Sequence, residues 1–123
     1  MNSNMLNAAD LEIFLDEDNG AIVLRLRGRL SIDSSTVLRD QLLALLRRQS
    51  PKAVVADMTE VSYTDASGIA TLLEGLKIAR NLHTTLCLKG LQGRVRHLFE
   101  VTGLLDLFET NGCRTASTAS RVS

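Results

Sequence analysis

Ser67 lies in the stretch VSYTDASGIATLLEGLKIAR, from Val61 to Arg80, with a carboxylate two residues before it and a glycine directly after it. A serine so placed can attack an acyl carbon, cap a helix or accept a phosphoryl group. Acyl transfer requires the G-x-S-x-G elbow, and the residue two before Ser67 is Asp65 rather than glycine. It also requires a base. His83 ends one helix-periodic segment and His97 lies inside another, so the sequence puts neither beside Ser67. A phosphoaspartate site built from the acidic run LDED and Asp57 fails for a different reason. Asp16 and Asp18 precede a tight turn between antiparallel strands, whereas such a site needs acids at the carboxyl end of a parallel strand.

Capping and phosphorylation are compatible with each other. Asp65 is a good N-cap, Ser67 falls in the first turn, and Gly68 permits close packing. A helix start also leaves backbone N–H groups unsatisfied and carries positive partial charge, a setting that tolerates an added phosphate. Phosphorylation there adds about −1.5 to −2 charge without necessarily melting the fold, and a switch that leaves its carrier folded must act at an interface.

The elements that must position Ser67 are legible from periodicity. LEIFLDED alternates, with Leu11, Ile13 and Leu15 on one face; AIVLRLRG alternates, with Ile22, Leu24 and Leu26 on one face. The intervening Asn19-Gly20 suits a type I′ hairpin turn. SIDSST offers cap oxygens to a first helix with Leu38, Leu42, Leu45 and Leu46 inward, ended by Pro51. KAVVADM reads as a mid-sheet strand stopping at Asp57. The second helix carries Ile69, Leu72, Leu73, Leu76 and Ala79 on one face. TTLCLKG follows as a strand, and then a shorter helix with Val95, Leu98, Phe99 and Thr102 inward, stopped by Gly103. A last strand or helix is expected around Leu105 to Glu109. The order predicts an α/β single domain: a mixed four- or five-stranded sheet opening with an antiparallel hairpin, helices mainly on one face. Residues 1–10 are expected to be a flexible N-terminus, 11–109 the domain, and 110–123 a mobile or weakly helical tail.

The chain has 123 residues, enough for one core, and 14 basic against 14 acidic side chains. That balance gives no basic patch for nucleic acid. No apolar run approaches the roughly 20 residues that span a bilayer, and the start MNSNMLNAAD lacks a signal-peptide layout, so no membrane insertion and a cytoplasmic location are expected. Cys87 and Cys113 are far apart and read as reduced thiols. Neither histidine has metal-ligand spacing; no metal or cofactor is expected.

VVADMTEVSYTDASGIATLLEGLKIAR resembles the signature region of STAS domains of the anti-sigma factor antagonist type: a buried strand ending in Asp, a short loop, then Asp-Ser/Ala-Ser-Gly opening an apolar helix. LRLRGRLSIDSSTVLRDQLLALL is similar to that family's strand, Gly-x-Leu turn and first helix, and RVRHLFEVTGLLDLF to its closing helix and turn. The resemblance covers about residues 11–109. It implies a partner-switching protein, not an enzyme. The dephosphorylated form would bind a serine kinase that is also the anti-sigma factor, of the histidine-kinase-like ATPase fold. Phosphorylation would release it, and a PP2C-type phosphatase would reset it. Nucleotide and metal would belong to the partner.

Carried over by motif, Ser67 is the phosphoacceptor and Asp65 the acid that orients its hydroxyl or engages the kinase. The docking surface implied comprises Thr64, Asp65, Ala66, Ser67, Gly68 and Thr71 with Ser31, Asp33 and Ser34. The chain departs from the family at Ser31, where an acidic residue is usual; Asp33 either substitutes for it or caps the first helix. The alternative implied by that departure is a STAS subunit with no phosphorylation cycle, docking on a transporter ATPase or a stress-signalling assembly.

Overall fold

The structure, a computed structural model, describes residues 5–49 and 51–110. Five strands are joined in one sheet: β1 (Met5–Ala8), β2 (Leu11–Asp18), β3 (Ala21–Leu30), β4 (Ala53–Thr64) and β5 (Thr85–Lys89), paired in chain order. Among them run α1 (Ile32–Gln49), α2 (Ala66–Asn81), α3 (Gly93–Val101) and α4 (Leu104–Thr110). β1, β2 and β3 are antiparallel, and β3, β4 and β5 are parallel. The mixed sheet and opening hairpin are those expected from the alternation. At the β2–β3 turn, Asn19 and Gly20 both have positive φ (54° and 86°), as the type I′ geometry demands.

Pairing fixes which side chains share a face. Ile22 lies opposite Val54 and Val54 opposite Leu86; Leu24 lies opposite Ala56 and Ala56 opposite Leu88. All six are buried and form one core with Leu11, Ile13 and Leu26. The helices cover this face: Leu38, Leu42, Leu45 and Leu46 of α1, Leu72, Leu76 and Ala79 of α2, Val95 and Phe99 of α3, and Phe108 of α4 belong to the same cluster. Burying a side chain of that size removes about 1.5–3 kcal/mol of unfavourable hydration, so this single face is what holds the helices down.

The structure corrects the sequence reading at several points. β4 does not stop at Asp57 but runs to Thr64. Its register with β3 shifts twice, between the partners of Arg25 and Arg27 and between those of Gly28 and Arg29. Each shift inserts an extra β4 residue, so apolar alternation fails in TEVSYT although the pairing continues. At the first shift, Oδ1 of Asp57 accepts from the N–H and the hydroxyl of Thr59, at 3.0 and 2.6 Å. β1 lies in the segment expected to be flexible; its four residues carry no alternation, and the turn to β2 places Ala9 at φ 54°, which an alanine does not advertise. Thr102, expected inward, is exposed and bonds back to the Leu98 carbonyl at 2.7 Å. The last element is the helix α4. Cys87 is disulfide-bonded rather than a reduced thiol; Cys113 and nearly all of the expected tail lie outside the described residues.

Candidate functional site

β3 and β4 are parallel and finish in register, Leu30 opposite Thr64. Each is followed within two residues by a helix, so the starts of α1 and α2 sit side by side at the carboxyl edge of the sheet. The N–H of Asp65 donates to the Leu30 carbonyl at 3.2 Å and extends the pairing by one residue.

Asp65 is the N-cap of α2, with extended backbone (φ −116°, ψ −172°). Its Oδ1 accepts from the N–H of Ser67 at 3.0 Å, the N–H of Gly68 at 3.2 Å and the Ser67 hydroxyl at 2.6 Å. Its Oδ2 accepts from the N–H of Ile32 at 3.1 Å, the first residue of α1. One carboxylate therefore caps two helices and holds the serine hydroxyl. The Ser67 hydroxyl is the main reason that the Asp65 carboxyl is held below the ordinary aspartate range; partial burial opposes it, and the N–H groups of Gly68, Ile32 and Ser67 reinforce it. At neutral pH Asp65 is ionised, an acceptor only, so the Ser67 hydroxyl must donate to it and its lone pairs face away.

Ser31 precedes α1 and acts as its cap. Its Oγ accepts from the N–H of Asp33 at 3.2 Å, while Ser34 Oγ accepts from the N–H of Ser31 at 3.0 Å, a reciprocal arrangement like a capping box. Ser34 Oγ also donates to the Arg29 carbonyl at 3.0 Å. At this position the chain uses a hydroxyl to close the helix.

Of the nine residues expected at a docking surface, Asp33 and Ala66 are exposed, and Ser31, Asp65 and Ser67 are half-buried. Ser34, Thr64, Gly68 and Thr71 are buried and support the surface from beneath. Gly68 is confined in a specific way: a Cβ there would run into Oγ1 of Thr64 and come within 2.7 Å of Leu30 Cγ. Its lack of a side chain lets α2 begin tight against the ends of β3 and β4. Thr71, Leu72, Gly75, Leu76 and Ala79 continue the buried stripe of α2 behind it.

Two features were missed from sequence. The side chain of Ile32 is 71% exposed beside the shared carboxylate; the available signal was that Ile32 lies off the stripe formed by Ser34, Ser35, Leu38 and Leu42. The second is the Asp65–Ile32 bond, which spans 33 residues and has no local signature. Neither histidine serves Ser67. His83 follows α2 at its far end, about 24 Å along the helix axis by the rise per residue. His97 lines a groove between the end of β4 and α3. Among the described residues no group of His, Cys, Asp and Glu could hold a metal ion. No helix there is long and apolar enough to cross a membrane.

Sheet, helices and site define a small α/β domain that presents a carboxylate-held serine at the joint start of two helices. Residues 13–109 match the family described as Mlab, STAS domain, and the chain belongs to that family. It is 24% identical to the anti-sigma-B factor antagonist of Bacillus subtilis (strain 168) over 100 residues, covering 81% of this chain and 90% of that protein. A shorter match, 43% identical over 53 residues, joins it to the anti-sigma-B factor antagonist of Listeria monocytogenes; this covers 43% of the chain and spans under half, 46%, of the relative. In fold it is similar to the crystal structure of an anti-sigma factor antagonist from Mycobacterium paratuberculosis, with TM-score 0.73, 19% identity, and coverage of 89% of this chain and 90% of that one.

Proposed function

We propose that this chain is a cytoplasmic anti-sigma factor antagonist that works by partner switching. Unphosphorylated, it binds a serine kinase of the histidine-kinase-like ATPase fold that is also the anti-sigma factor; phosphorylation of Ser67 breaks the complex, and a PP2C-type phosphatase restores it. The observation that carries this reading is the Ser67 hydroxyl held 2.6 Å from Asp65 Oδ1 at the start of α2. The names of the Bacillus and Listeria relatives support it.

The geometry suits a switch that leaves its carrier folded. Donation to the carboxylate orients the hydroxyl and leaves its lone pairs available to an incoming phosphoryl group, so positioning is supplied by the substrate protein itself. Once attached, the phosphate sits beside an ionised Asp65, and the N–H groups of two helix starts partly offset its charge. Against a partner surface that had accepted a neutral hydroxyl, the same dianion is desolvated without a counter-charge, at a penalty of several kcal/mol. Each 1.4 kcal/mol is tenfold in affinity, so dissociation follows.

Incubation of the full chain with the kinase and ATP should add one phosphate, about 80 Da, on Ser67. Ser67→Ala should retain kinase binding, and Ser67→Glu should weaken it by at least roughly tenfold. Equal affinities for the two variants, or a phosphate on another residue, would defeat the proposal. The other reading, a STAS subunit docking on a transporter ATPase or stress-signalling assembly with no phosphorylation cycle, predicts no mass change at all.

A further inference from the structure

We propose that Ile32 is an apolar anchor that selects the kinase, which must offer an apolar recess beside its phosphoryl-transfer site. The inference rests on the reading of Ser67 as phosphoacceptor and adds to it the chemistry of the partner's surface.

Three observations carry it. Ile32 is the most exposed large apolar side chain among the described residues, and it is not part of the core stripe of α1. Its backbone is fixed in place: its N–H is bound by Asp65 Oδ2, while Oδ1 of the same carboxylate holds the Ser67 hydroxyl. Its charged neighbours are both acidic, the Asp65 carboxylate that binds its N–H and the exposed Asp33 next along α1, while Ser31 and Ala66 add uncharged surface.

A kinase must bring its phosphoryl donor in line with the Ser67 oxygen, and in doing so it covers the ground around Asp65. Ile32 is inside that footprint because it shares the carboxylate. A β-branched side chain on a pinned helix start has little rotamer freedom to lose on binding, which makes it an effective anchor. The complement of an exposed isoleucine beside Asp33 and Asp65 is an apolar recess with basic groups at its rim.

The test uses the full chain carrying Ser67→Ala, so that no turnover occurs, and a purified serine kinase that phosphorylates the parent chain at Ser67. Ile32→Thr keeps the branched shape and the backbone N–H; it should weaken binding roughly tenfold or more, the scale of one buried aliphatic side chain. Its melting temperature should match that of the parent. Leu82→Thr, an exposed apolar position at the other end of α2, should bind as the parent does. Unchanged affinity for Ile32→Thr, with Ser67 still phosphorylated in the parent, overturns this inference alone. A parent chain that no purified serine kinase of the histidine-kinase-like fold binds or phosphorylates at Ser67 overturns both this inference and the function on which it rests.

Discussion

The N–H of Ile32 and the carboxylate of Asp65 are 33 residues apart in the chain and 3.1 Å apart in space. That bond ties the start of α1 to the residue that holds the Ser67 hydroxyl, so a change at Ser67 reaches a second helix through one side chain. A phosphate on Ser67 repels the Asp65 carboxylate, and the Ile32 amide should then exchange with solvent faster than in the unmodified chain. Amide hydrogen exchange followed by NMR reads this directly; protection of Ile32 that is the same in both forms would show that the two helix starts are not coupled.

Removing the carboxylate should destabilise the domain. Asp65→Ala leaves three backbone N–H groups and one hydroxyl without their acceptor, and a lost N-cap alone costs about 0.5–2 kcal/mol. Because two helices share this cap, a loss at the upper end of that range is expected in urea unfolding. A loss no larger than that of an exposed surface substitution would mean that water replaces Asp65 at little penalty.

Acid should weaken the same device. The carboxyl of Asp65 is held below its ordinary value, first by the Ser67 hydroxyl. A folded-state value below the unfolded one contributes stability that is fully present above the unfolded value, about 4, and is lost as pH falls through the folded value. Ser67→Ala removes the main cause, so the Asp65 titration should move up toward ordinary aspartate, as followed by carboxyl carbon NMR. Asp65→Asn should flatten the dependence of stability on pH below about 4. Glu74, lowered by its hydrogen bonds to Arg39, adds a slope of the same sign and remains in that variant.

Gly68→Ala should destabilise by about 1–3 kcal/mol even though alanine is the better helix former, because the added methyl meets Thr64 and Leu30 at a packed strand end. Thermal unfolding measures it. A gain in melting temperature would show that α2 can slide outward without loss.

Arg39 and Glu74 link the exposed sides of α1 and α2 through two hydrogen bonds, at 2.8 and 2.9 Å. A double-mutant cycle with alanine at each position should give a small favourable coupling that shrinks with added salt, as for exposed pairs generally. Coupling that persists in high salt would mark the pair as a rigid strut between the helices.

The parts legible in the sequence were those with a local period or turn chemistry. The hairpin followed from two alternating strands around Asn19-Gly20, and α1 and α2 from leucines at helical spacing. The second half of β4 was not legible because two extra residues break its alternation, and β1 is too short to have a period. At the site, T-D-A-S-G marked a helix start with Asp65 as cap, and the structure has that bond. What sequence could not carry was non-local: that Asp65 also caps α1, that Ser34 and Thr71 are turned inward, and that Ile32 is turned out. These follow from β3 and β4 ending opposite each other, a register set by bulges that no spacing rule announces.

That shared ending has a further consequence under the proposed cycle. With Leu30 opposite Thr64 and both helices starting from one edge, the domain has a single working end rather than two separable ones. Any protein that reaches the Ser67 oxygen occupies the approach that every other such protein needs, so kinase and phosphatase would take turns at one berth, each admitted by the form of the serine it acts on. The phosphate on Ser67 would then decide which of the two is admitted, and their relative abundance, as much as their turnover rates, would set how long the switch stays in either state.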